Sequence, residues 1–221
     1  MKRFCLLGSS RGLGWATYLA LSQKYPDAEF LLVSRKIENK KLDLKPNTKI
    51  LSFDFTKNEP LSLIEHVQNF GPTEIIYSAG GGPYANYFEN AWETHLWSLK
   101  VTFLFPAELI LKLGQSFKQN PLKWPELRSI TVIGSSIAEN YADPKAASYC
   151  AAKHALKGLI STIQEEKSTQ IQIKSFSPGY IETDLLPRNS APREKGLALS
   201  AEVVANELIK FIESPKILMS L

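Results

Sequence analysis

Three residues have the types and spacing for proton transfer: Lys153 follows Tyr149 by four positions, and Ser136 precedes the tyrosine by thirteen. Residues four apart on a helix share one face, so the lysine ammonium would lie beside the phenol. A nearby cation favours the phenolate, which predicts a phenol pKa below its usual value of about 10. A serine at a neighbouring strand end could hold a substrate oxygen. The set predicts acid–base chemistry, although a helix can carry Tyr and Lys at this spacing without any catalytic role.

The elements that must position these residues alternate between strand and helix along the chain. This alternation predicts an α/β fold, a Rossmann-type doubly wound parallel sheet with helices on both faces, in a single domain spanning residues 1–221. We predict strands at 4–7, 30–34, 50–53, 74–78, 130–134 and 171–176, with a short edge strand at 216–219. We predict helices at 13–25, 61–69, 91–113 (kinked at Pro106), 146–164 and 201–213 (capped by Ser200). Loops are predicted at 36–47, 114–125 and 183–199.

Composition argues against several functional classes. The 221 residues are 44% hydrophobic and carry a net charge of +4 with the two signs mixed, so no basic tract suits a nucleic-acid backbone. The histidines are scattered without metal-ligand spacing, and the two cysteines form no disulfide framework. No apolar stretch is long enough to span a bilayer. We expect a cytoplasmic protein that acts on a small molecule, without a metal, nucleic-acid or membrane partner.

The first predicted strand runs directly into a glycine-rich turn that opens a helix. Residues 8–14 read GSSRGLG, a GxxxGxG pattern. Glycines let the backbone approach a pyrophosphate closely, and the helix N-terminus offers free N–H groups. A tight packing turn would also use glycine, but the position at the first strand–helix junction favours a dinucleotide. The candidate cofactor-binding residues here are Gly8, Ser10, Arg11, Gly12, Leu13 and Gly14.

The second predicted strand ends at Ser34 and is followed by Arg35 and Lys36. In dinucleotide-binding folds this strand end meets the adenosine ribose, where an acidic residue would bind both hydroxyls and repel a 2′-phosphate. Guanidinium groups suit phosphate recognition, and Arg11 could reach the same place. These residues predict NADP(H) rather than NAD(H), although a solvated strand end could have the same composition.

Taken together, these motifs resemble the short-chain dehydrogenase/reductase family over nearly the whole chain. The resemblance rests on the order and spacing of the glycine run, of Ser136, Tyr149 and Lys153, and of three further motifs that follow strands. These motifs are Asp54 with Phe55, Ala79-Gly80-Gly81, and the run Pro178-Gly179-Tyr180-Ile181-Glu182-Thr183. The resemblance implies that Asp54 contacts adenine and that the Pro-Gly run borders the nicotinamide with Thr183 near its carboxamide. It places Phe55, Ala79, Gly80, Gly81, Pro178, Gly179 and Ile181 among the cofactor-binding residues.

The family mechanism then implies an NADP(H)-dependent oxidoreductase. Tyr149 would donate a proton to a carbonyl oxygen, or take one from an alcohol, while the nicotinamide transfers hydride. Lys153 would lower the phenol pKa and bind the nicotinamide ribose, and Ser136 would polarise the substrate oxygen. Ser135 is interpreted as a structural neighbour of Ser136.

Relatives commonly pair through the helices predicted here at 91–113 and 146–164. Both segments carry more apolar residues than one buried face requires, for example Leu104, Leu109, Ile110 and Leu156. A homodimer, or a tetramer, is therefore expected.

Two departures from the family pattern keep an alternative open. The family turn Asn-Asn-Ala-Gly is here Tyr77-Ser78-Ala79-Gly80, and the catalytic asparagine corresponds to Ser98 when the helix is aligned on Phe103. Serine could take over part of that role, so Ser98 is kept as a catalytic candidate. It could also indicate a weakened proton relay, in which case the protein would be a catalytically weak NADP(H)-binding regulatory or scaffold protein of the same fold. An epimerase or dehydratase of the extended relatives is disfavoured by the glycine spacing.

The segment expected to cover the substrate, residues 183–199, is brief and polar, which predicts an open site. Tyrosines on the predicted substrate loops suggest an aromatic-lined pocket, although loop tyrosines are equally often surface residues. These tyrosines are Tyr84, Tyr87, Tyr141 and Tyr180.

Overall fold

The structure is a computed structural model that describes residues 1–139, 143–166 and 171–220, so Tyr141 lies outside the described residues. The strands are β1 (Arg3–Leu7), β2 (Glu29–Val33), β3 (Thr48–Leu51), β4 (Glu74–Tyr77), β5 (Ser129–Ile133), β6 (Gln172–Ser177), β7 (Ile181–Glu182), β8 (Leu199–Ser200) and β9 (Leu218–Ser220). The helices are α1 (Gly12–Lys24), α2 (Pro60–Phe70), α3 (Trp92–Leu99), α4 (Phe105–Gln119), α5 (Ala147–Glu166), α6 (Ala191–Glu194) and α7 (Ala201–Glu213).

Seven strands form one parallel sheet in the order β3-β2-β1-β4-β5-β6-β9. The predicted doubly wound parallel sheet is confirmed, and the predicted edge strand is present as β9. The strand order reverses direction between β1 and β4, and ligands of such sheets bind outside the carboxyl ends of the strands at that point. The chain therefore places its strand-end residues around one crevice.

Side chains alternate across the sheet and build an apolar core on each face. In β1, Cys5 and Leu7 pack with residues of α2, α4 and α5, whereas Phe4 and Leu6 pack with residues of α1 and α7. Because both faces are covered, the strands are continuous apolar runs rather than alternating ones. None of the helices in the described residues is both long and apolar enough to cross a membrane.

The predicted helix over 91–113 is interrupted by a π-helical segment, Lys100–Leu104, that separates α3 from α4. Pro106 causes the break, because it has no N–H to donate and its ring collides with the carbonyl one turn before it. The N–H of Phe105 instead reaches the carbonyl of Lys100, five residues back. The predicted kink is confirmed, and α4 continues beyond the predicted end to Gln119.

Three of the apolar residues predicted to lie in excess on these helices belong to the core instead. Leu109 and Ile110 of α4 and Leu156 of α5 are buried against the sheet, whereas Leu104 is 47% exposed. Sequence periodicity could not give the direction of these side chains. Leu111 of α4 and Leu104, the last residue of the π-helical segment before it, are the exposed apolar residues here.

Two segments predicted as loops contain short ordered elements. A 3₁₀ helix, Ile37–Asp43, lies in the first, anchored by the fully buried Ile37. The segment predicted as a loop at 183–199 contains α6. The guanidinium of Arg193 in this helix donates hydrogen bonds to the carbonyl oxygens of Thr183 and Leu186. This arginine organises the segment predicted to cover the substrate.

Ser200 caps α7 as predicted, since its side chain accepts a hydrogen bond from the N–H of Val203. We expect Ser200→Ala to lower the free energy of unfolding by about 1 kcal/mol, because one helix N–H loses its partner. Urea denaturation measures the change, and Ser161→Ala on the partly buried side of α5 is a control that removes a hydroxyl within a helix. An equal loss in both variants would show that the cap contributes nothing specific.

Candidate active site

A cavity of about 600 Å³ opens at the carboxyl ends of the strands, and the loops that follow β1 to β6 all contribute to it. Almost every residue predicted from the sequence lines this cavity. These residues are Gly8, Ser10, Arg11, Gly12, Leu13, Gly14, Ser34, Arg35, Asp54, Phe55, Ala79, Gly80, Ser136, Tyr149, Lys153, Pro178, Gly179, Ile181 and Thr183. Residues from six separate loops thus meet in one place.

The glycine turn brings the backbone of three segments into close approach. Gly8 has φ +94°, and a Cβ on it would lie 2.4 Å from the nitrogen of Ala79. A Cβ on Gly14 would lie 2.3 Å from the carbonyl oxygen of Gly8. Only glycine fits at these two positions, and the result is a cradle of bare backbone at the first turn of α1. Such a cradle fits a dinucleotide pyrophosphate, whose charge suits a helix N-terminus.

Ser78 stands where the family turn has its second asparagine, and it still joins the first and fourth strands. Its hydroxyl lies 3.0 Å from the carbonyl oxygen of Leu7 and 3.2 Å from that of Gly8. The preceding Tyr77 is buried, and its hydroxyl donates to the carbonyl oxygen of Val101 at 2.7 Å, inside the π-helical segment. The two substituted positions therefore support the site through hydrogen bonds to backbone.

Both arginines predicted to recognise phosphate lie at the cavity, each beside a carboxylate. Arg35 Nη1 is 3.8 Å from Asp54 Oδ2, and Arg11 Nη1 is 3.6 Å from Asp184 Oδ2. Burial raises the pKa of Asp54, but hydrogen bonds from Thr56 and the charges of Arg35 and Lys57 outweigh it and lower the pKa overall. The Arg35 side chain stays 56% exposed, so its remaining N–H donors can reach a ligand.

Ser10 and Ser34 join the glycine turn to the end of β2, with their hydroxyl oxygens 2.8 Å apart. Ser34 donates in this bond. Both hydroxyls line the cavity beside Arg35. The part of the cavity beside the end of β2 therefore combines the hydroxyls of Ser10 and Ser34 with the basic side chains of Arg35 and Lys36.

Tyr149 lies in the first turns of α5, and its hydroxyl is hydrogen-bonded to Ser135. Burial raises the pKa of Tyr149 to about 12, and the Ser135 hydrogen bond only partly opposes this shift. The predicted depression of the phenol pKa is therefore wrong for this structure. The physical reason is that burial penalises the phenolate, while the Lys153 ammonium lies over the ring, 5.3 Å from its centre. Tyr149 holds its proton at neutral pH.

Lys153 is 4% exposed, and its ammonium donates a hydrogen bond to the carbonyl oxygen of Ile133 at 2.6 Å. Burial lowers its pKa to about 7, because a low-dielectric site disfavours the charged form. The Lys153 ammonium thus lies between the end of β5 and the Tyr149 ring, and the lysine changes charge near neutral pH.

Ser135 and Ser136 both line the cavity, at the start of a 3₁₀ turn that ends β5. The N–H of Ser136 donates to the carbonyl oxygen of Pro178 at 2.9 Å, which ties this turn to the Pro-Gly run after β6. Its hydroxyl makes no hydrogen bond to the part of the chain that the structure describes. The Ser135 hydroxyl is occupied by Tyr149 and by the N–H of Ile137, whereas that of Ser136 is free for a ligand.

Two predicted site residues, Gly81 and Ser98, lie behind the cavity wall. The Trp97 ring covers Gly81, so closely that a Cβ there would come within 2.8 Å of the indole. Ser98 is fully buried and donates to the carbonyl oxygen of Gly81 at 2.7 Å. Thr102, one turn further on, is hydrogen-bonded to the N–H of Gly81 at 3.1 Å. Ser98 therefore holds the chain after β4 and does not itself face the cavity.

Sequence reasoning missed several lining residues because they follow no spacing rule. Ser135 could have been found from its position beside Ser136. Trp97, Asp143, Asp184 and Leu185 reach the cavity only through the course of their loops. Of the tyrosines predicted to line a pocket, Tyr84 and Tyr180 do so, whereas Tyr87 lies at a separate surface pocket and packs against His95. The side chains of Tyr84, Tyr180 and Leu185 remain 37 to 47% exposed, so the site is open as predicted.

Residues 124–194, which contain Ser136, Tyr149 and Lys153, match the family model for short chain dehydrogenases. The match covers less than half of the chain, and over this segment the chain is similar to short chain dehydrogenases. No curated protein sequence matches it. The remaining comparisons are with solved structures of low sequence identity, which show the fold of the chain and nothing further.

Three solved structures illustrate the fold that this chain shares with known proteins. An alcohol dehydrogenase from the archaeon Thermococcus sibiricus, complexed with 5-hydroxy-NADP, is 20% identical with a TM-score of 0.80 and covers 100% of this chain and 96% of its own. BdcA in complex with NADPH is 19% identical with a TM-score of 0.79, covering 100% and 92%. A 4-hydroxyisoleucine dehydrogenase complexed with NADH is 18% identical with a TM-score of 0.80, covering 97% and 92%. At these identities the structures establish the Rossmann-type fold of this chain.

No group of His, Cys, Asp and Glu side chains among the described residues is arranged to hold a metal ion. Burial sets the environment of both Tyr149 and Lys153. Of these two, Lys153 is the one that can exchange a proton near neutral pH, because its pKa is lowered to about 7 whereas that of Tyr149 is raised to about 12.

The lowered pKa of Lys153 makes the fold more stable as pH rises. In the unfolded chain lysine titrates near about 10.4, so between pH 7 and that value the unfolded state binds the extra proton. A rise in pH through this window therefore favours the folded state. We expect the free energy of unfolding of Lys153→Met to rise less steeply from pH 7 to pH 9, by up to about 1 kcal/mol per pH unit.

Guanidinium denaturation at several pH values measures this slope. Lys41→Met removes an exposed lysine from the 3₁₀ helix and is the matched control, expected to follow the wild-type slope. Identical slopes for Lys153→Met and the wild type would contradict a charge change of Lys153 in this range.

Proposed function

We propose that this protein is a short-chain dehydrogenase that acts as an NADP(H)-dependent reductase of a carbonyl compound, able to oxidise the corresponding alcohol in reverse. The observation that carries the proposal is one open cavity in which a protonated Tyr149, the free Ser136 hydroxyl and a backbone cradle for a dinucleotide meet. Two of the structurally similar proteins are complexed with NADPH or an NADP derivative and one with NADH, so the comparisons support a nicotinamide cofactor of either kind.

The chain offers a contact for each part of the dinucleotide. The glycine turn would hold the pyrophosphate, Asp54 and Phe55 the adenine, and the Pro178–Thr183 run the nicotinamide. The charges of Arg35 and Arg11 favour a 2′-phosphate, since the end of β2 carries no acidic side chain to repel one. When bound, the nicotinamide supplies the hydride that forms the new C–H bond at the carbonyl carbon.

The proton is the protein's contribution to the reduction. As the C=O π bond opens, the phenolic O–H of Tyr149 breaks and a new O–H bond forms at the substrate oxygen. Ser136 would donate a hydrogen bond to the same oxygen. Lys153 would stabilise the phenolate left on Tyr149, and solvent would return the proton. Ser98 acts in this scheme as a positioning residue, through its hydrogen bond to Gly81.

The tyrosine variant tests the proposed reaction. We expect Tyr149→Phe to lower kcat by about 10²–10⁴-fold, because it removes the acid and leaves the binding surfaces in place. NADPH consumption with a panel of aromatic aldehydes and ketones measures turnover, and NADPH fluorescence titration checks that cofactor binding persists.

Tyr87→Phe is the matched control, since that phenol does not line the cavity but a neighbouring pocket, which shares Asp143 and Pro144 with it. If Tyr149→Phe turned over as fast as the wild type, the proposed acid would be wrong. Bound NADPH without turnover by the wild type would favour the alternative of a binding or scaffold protein.

Cofactor preference is tested by paired titrations with NADPH and NADH. We expect tighter NADPH binding by the wild type, and a loss of about tenfold or more in NADPH affinity in Arg35→Ala with NADH affinity nearly unchanged. Arg128→Ala is the control, because this exposed arginine directly precedes β5. It therefore lies at the amino ends of the strands, whereas the cavity lies at their carboxyl ends. Equal affinity of the wild type for the two dinucleotides would show that the arginines do not recognise the 2′-phosphate. The proposed reductase function would be unaffected by that result.

A homodimer formed through α4 and α5 remains our expectation for the assembly. Leu111 of α4 and Leu104 of the π-helical segment are exposed, and the outer side of α5 exposes the small residues Ala147, Ala151 and Ala155. Small residues allow close approach of helices, and exposed leucines would be covered by a partner. A monomeric mass in solution would rule this assembly out.

A further inference from the structure

The substrate end of the cavity differs in charge from the dinucleotide end. Among the described residues that line the cavity, the cations are Arg11, Arg35, Lys36 and Lys153. The first three follow β1 and β2. The ammonium of Lys153 lies over the Tyr149 ring and donates a hydrogen bond to the carbonyl oxygen of Ile133. The loops after β4, β5 and β6 bring no basic side chain into the cavity. The substrate therefore meets no fixed positive charge beyond the catalytic lysine.

The described carboxylates that line the cavity are Asp54, Asp143 and Asp184, and they differ in their partners. Asp54 lies beside Arg35 and Asp184 beside Arg11. Asp143 has no basic partner among the described residues. Its Oδ2 accepts a hydrogen bond from the Tyr180 hydroxyl at 3.3 Å, and its other oxygen has no hydrogen-bond partner in the described part of the chain. Asp143 thus presents a negative charge that the protein does not neutralise.

A tight turn fixes Asp143 at the cavity. The carbonyl oxygen of Asp143 accepts from the N–H of Ala146 at 3.2 Å, with Pro144 and Lys145 between them. Lys145 has φ +69°, as the third residue of a type II turn requires, a conformation that L residues other than glycine rarely adopt. The carbonyl oxygen of Lys145 accepts from the N–H of Ala85 at 2.9 Å, which joins this turn to the loop that carries Tyr84. The structure tolerates strain to hold these two loops together.

Three aromatic residues also line the cavity. These are Tyr84, Trp97 and Tyr180, of which Tyr180 donates a hydrogen bond from its hydroxyl to Asp143. Burial raises the pKa of Tyr180, and the Asp143 carboxylate raises it further, so the phenol stays neutral and donates to Asp143. Aromatic faces attract cations, and a carboxylate among them adds Coulombic attraction.

We propose that this cavity selects carbonyl substrates that carry a cationic nitrogen, which Asp143 recognises between the rings of Tyr84, Trp97 and Tyr180. This inference rests on the proposed reductase function. It makes Asp143 the specificity-determining residue and disfavours substrates that carry a carboxylate, because two negative charges would then face each other in a partly enclosed site.

Three para-substituted benzaldehydes test the inference, because they share one ring and one carbonyl group. The 4-trimethylammonio compound is cationic, the 4-tert-butyl compound is its neutral isostere, and the 4-carboxy compound is anionic. We expect wild-type kcat/KM with NADPH to be about tenfold higher for the cation than for the isostere, and lowest for the anion. Asp143→Asn should lower the ratio of cation to isostere by about tenfold while the isostere itself is still turned over, because the electronic effect of the ammonio group on the carbonyl is the same in both enzymes.

Asp43→Asn removes an exposed carboxylate from the 3₁₀ helix, outside the cavity, and should preserve the wild-type ratio. This control separates a local effect of Asp143 from a change in net charge. A wild-type ratio near one, or a ratio that survives in Asp143→Asn, would overturn the inference while the reductase function stood.

Binding without turnover keeps the two proposals separable. Calorimetric titration with phenyltrimethylammonium and with benzoate needs no reaction. It therefore tests the proposed cationic site even if none of the aldehydes is reduced. Binding of the cation alone, lost in Asp143→Asn, supports the cationic site. Binding of neither ion, a preference for benzoate, or cation binding unchanged by the substitution overturns it, whatever the aldehydes show.

Discussion

The close approach of backbone between the first and fourth strands is the constraint on which the rest of the site depends. Gly14 lies against the carbonyl oxygen of Gly8, and Gly8 lies against the nitrogen of Ala79, so a single methyl group at either glycine would push the strands apart. The Ser78 hydroxyl binds the carbonyl oxygens of Leu7 and Gly8 across the same gap. Because this gap is where the strand order reverses, its width sets the geometry of both halves of the cavity.

A second constraint comes from the helix break before α4. Pro106 forces the π-helical segment, and this segment leaves the carbonyl oxygen of Val101 to accept the Tyr77 hydroxyl. The hydroxyls of Ser98 and Thr102, which flank the break, both turn to Gly81. One proline thus fixes the chain after β4, which in turn forms the wall beside Tyr149. π-Helical turns are often found at functional sites for this reason, since they re-aim side chains that a regular helix would separate.

The parts of this protein that periodicity and motif spacing could predict are those set by local backbone rules. The strands, the glycine turn, the Ser200 cap and the kink at Pro106 follow from such rules, and all are present. Side-chain direction on the long helices could not be predicted, and Leu109 proved to be core. Asp143 could not be found either, because only the paths of two loops bring it to the cavity. Spacing along a chain predicts what lies on one element, whereas substrate contacts come from elements that are distant in sequence.

The Tyr149 and Lys153 pair shows why residue types alone gave the wrong sign for the phenol pKa. Spacing predicts that an ammonium lies near the phenol, and it does, but the environment that brings them together also removes water from both. Desolvation disfavours each charged form, so it raises the pKa of the phenol and lowers that of the amine, and here it exceeds their mutual attraction. In the proposed reduction the protonated tyrosine is the form that can donate, but its raised pKa makes it a weaker acid, so forming the phenolate needs a nearby positive charge. Lys153 then gains most from being charged when the phenolate forms, which ties the protonation of the lysine to the reaction it supports.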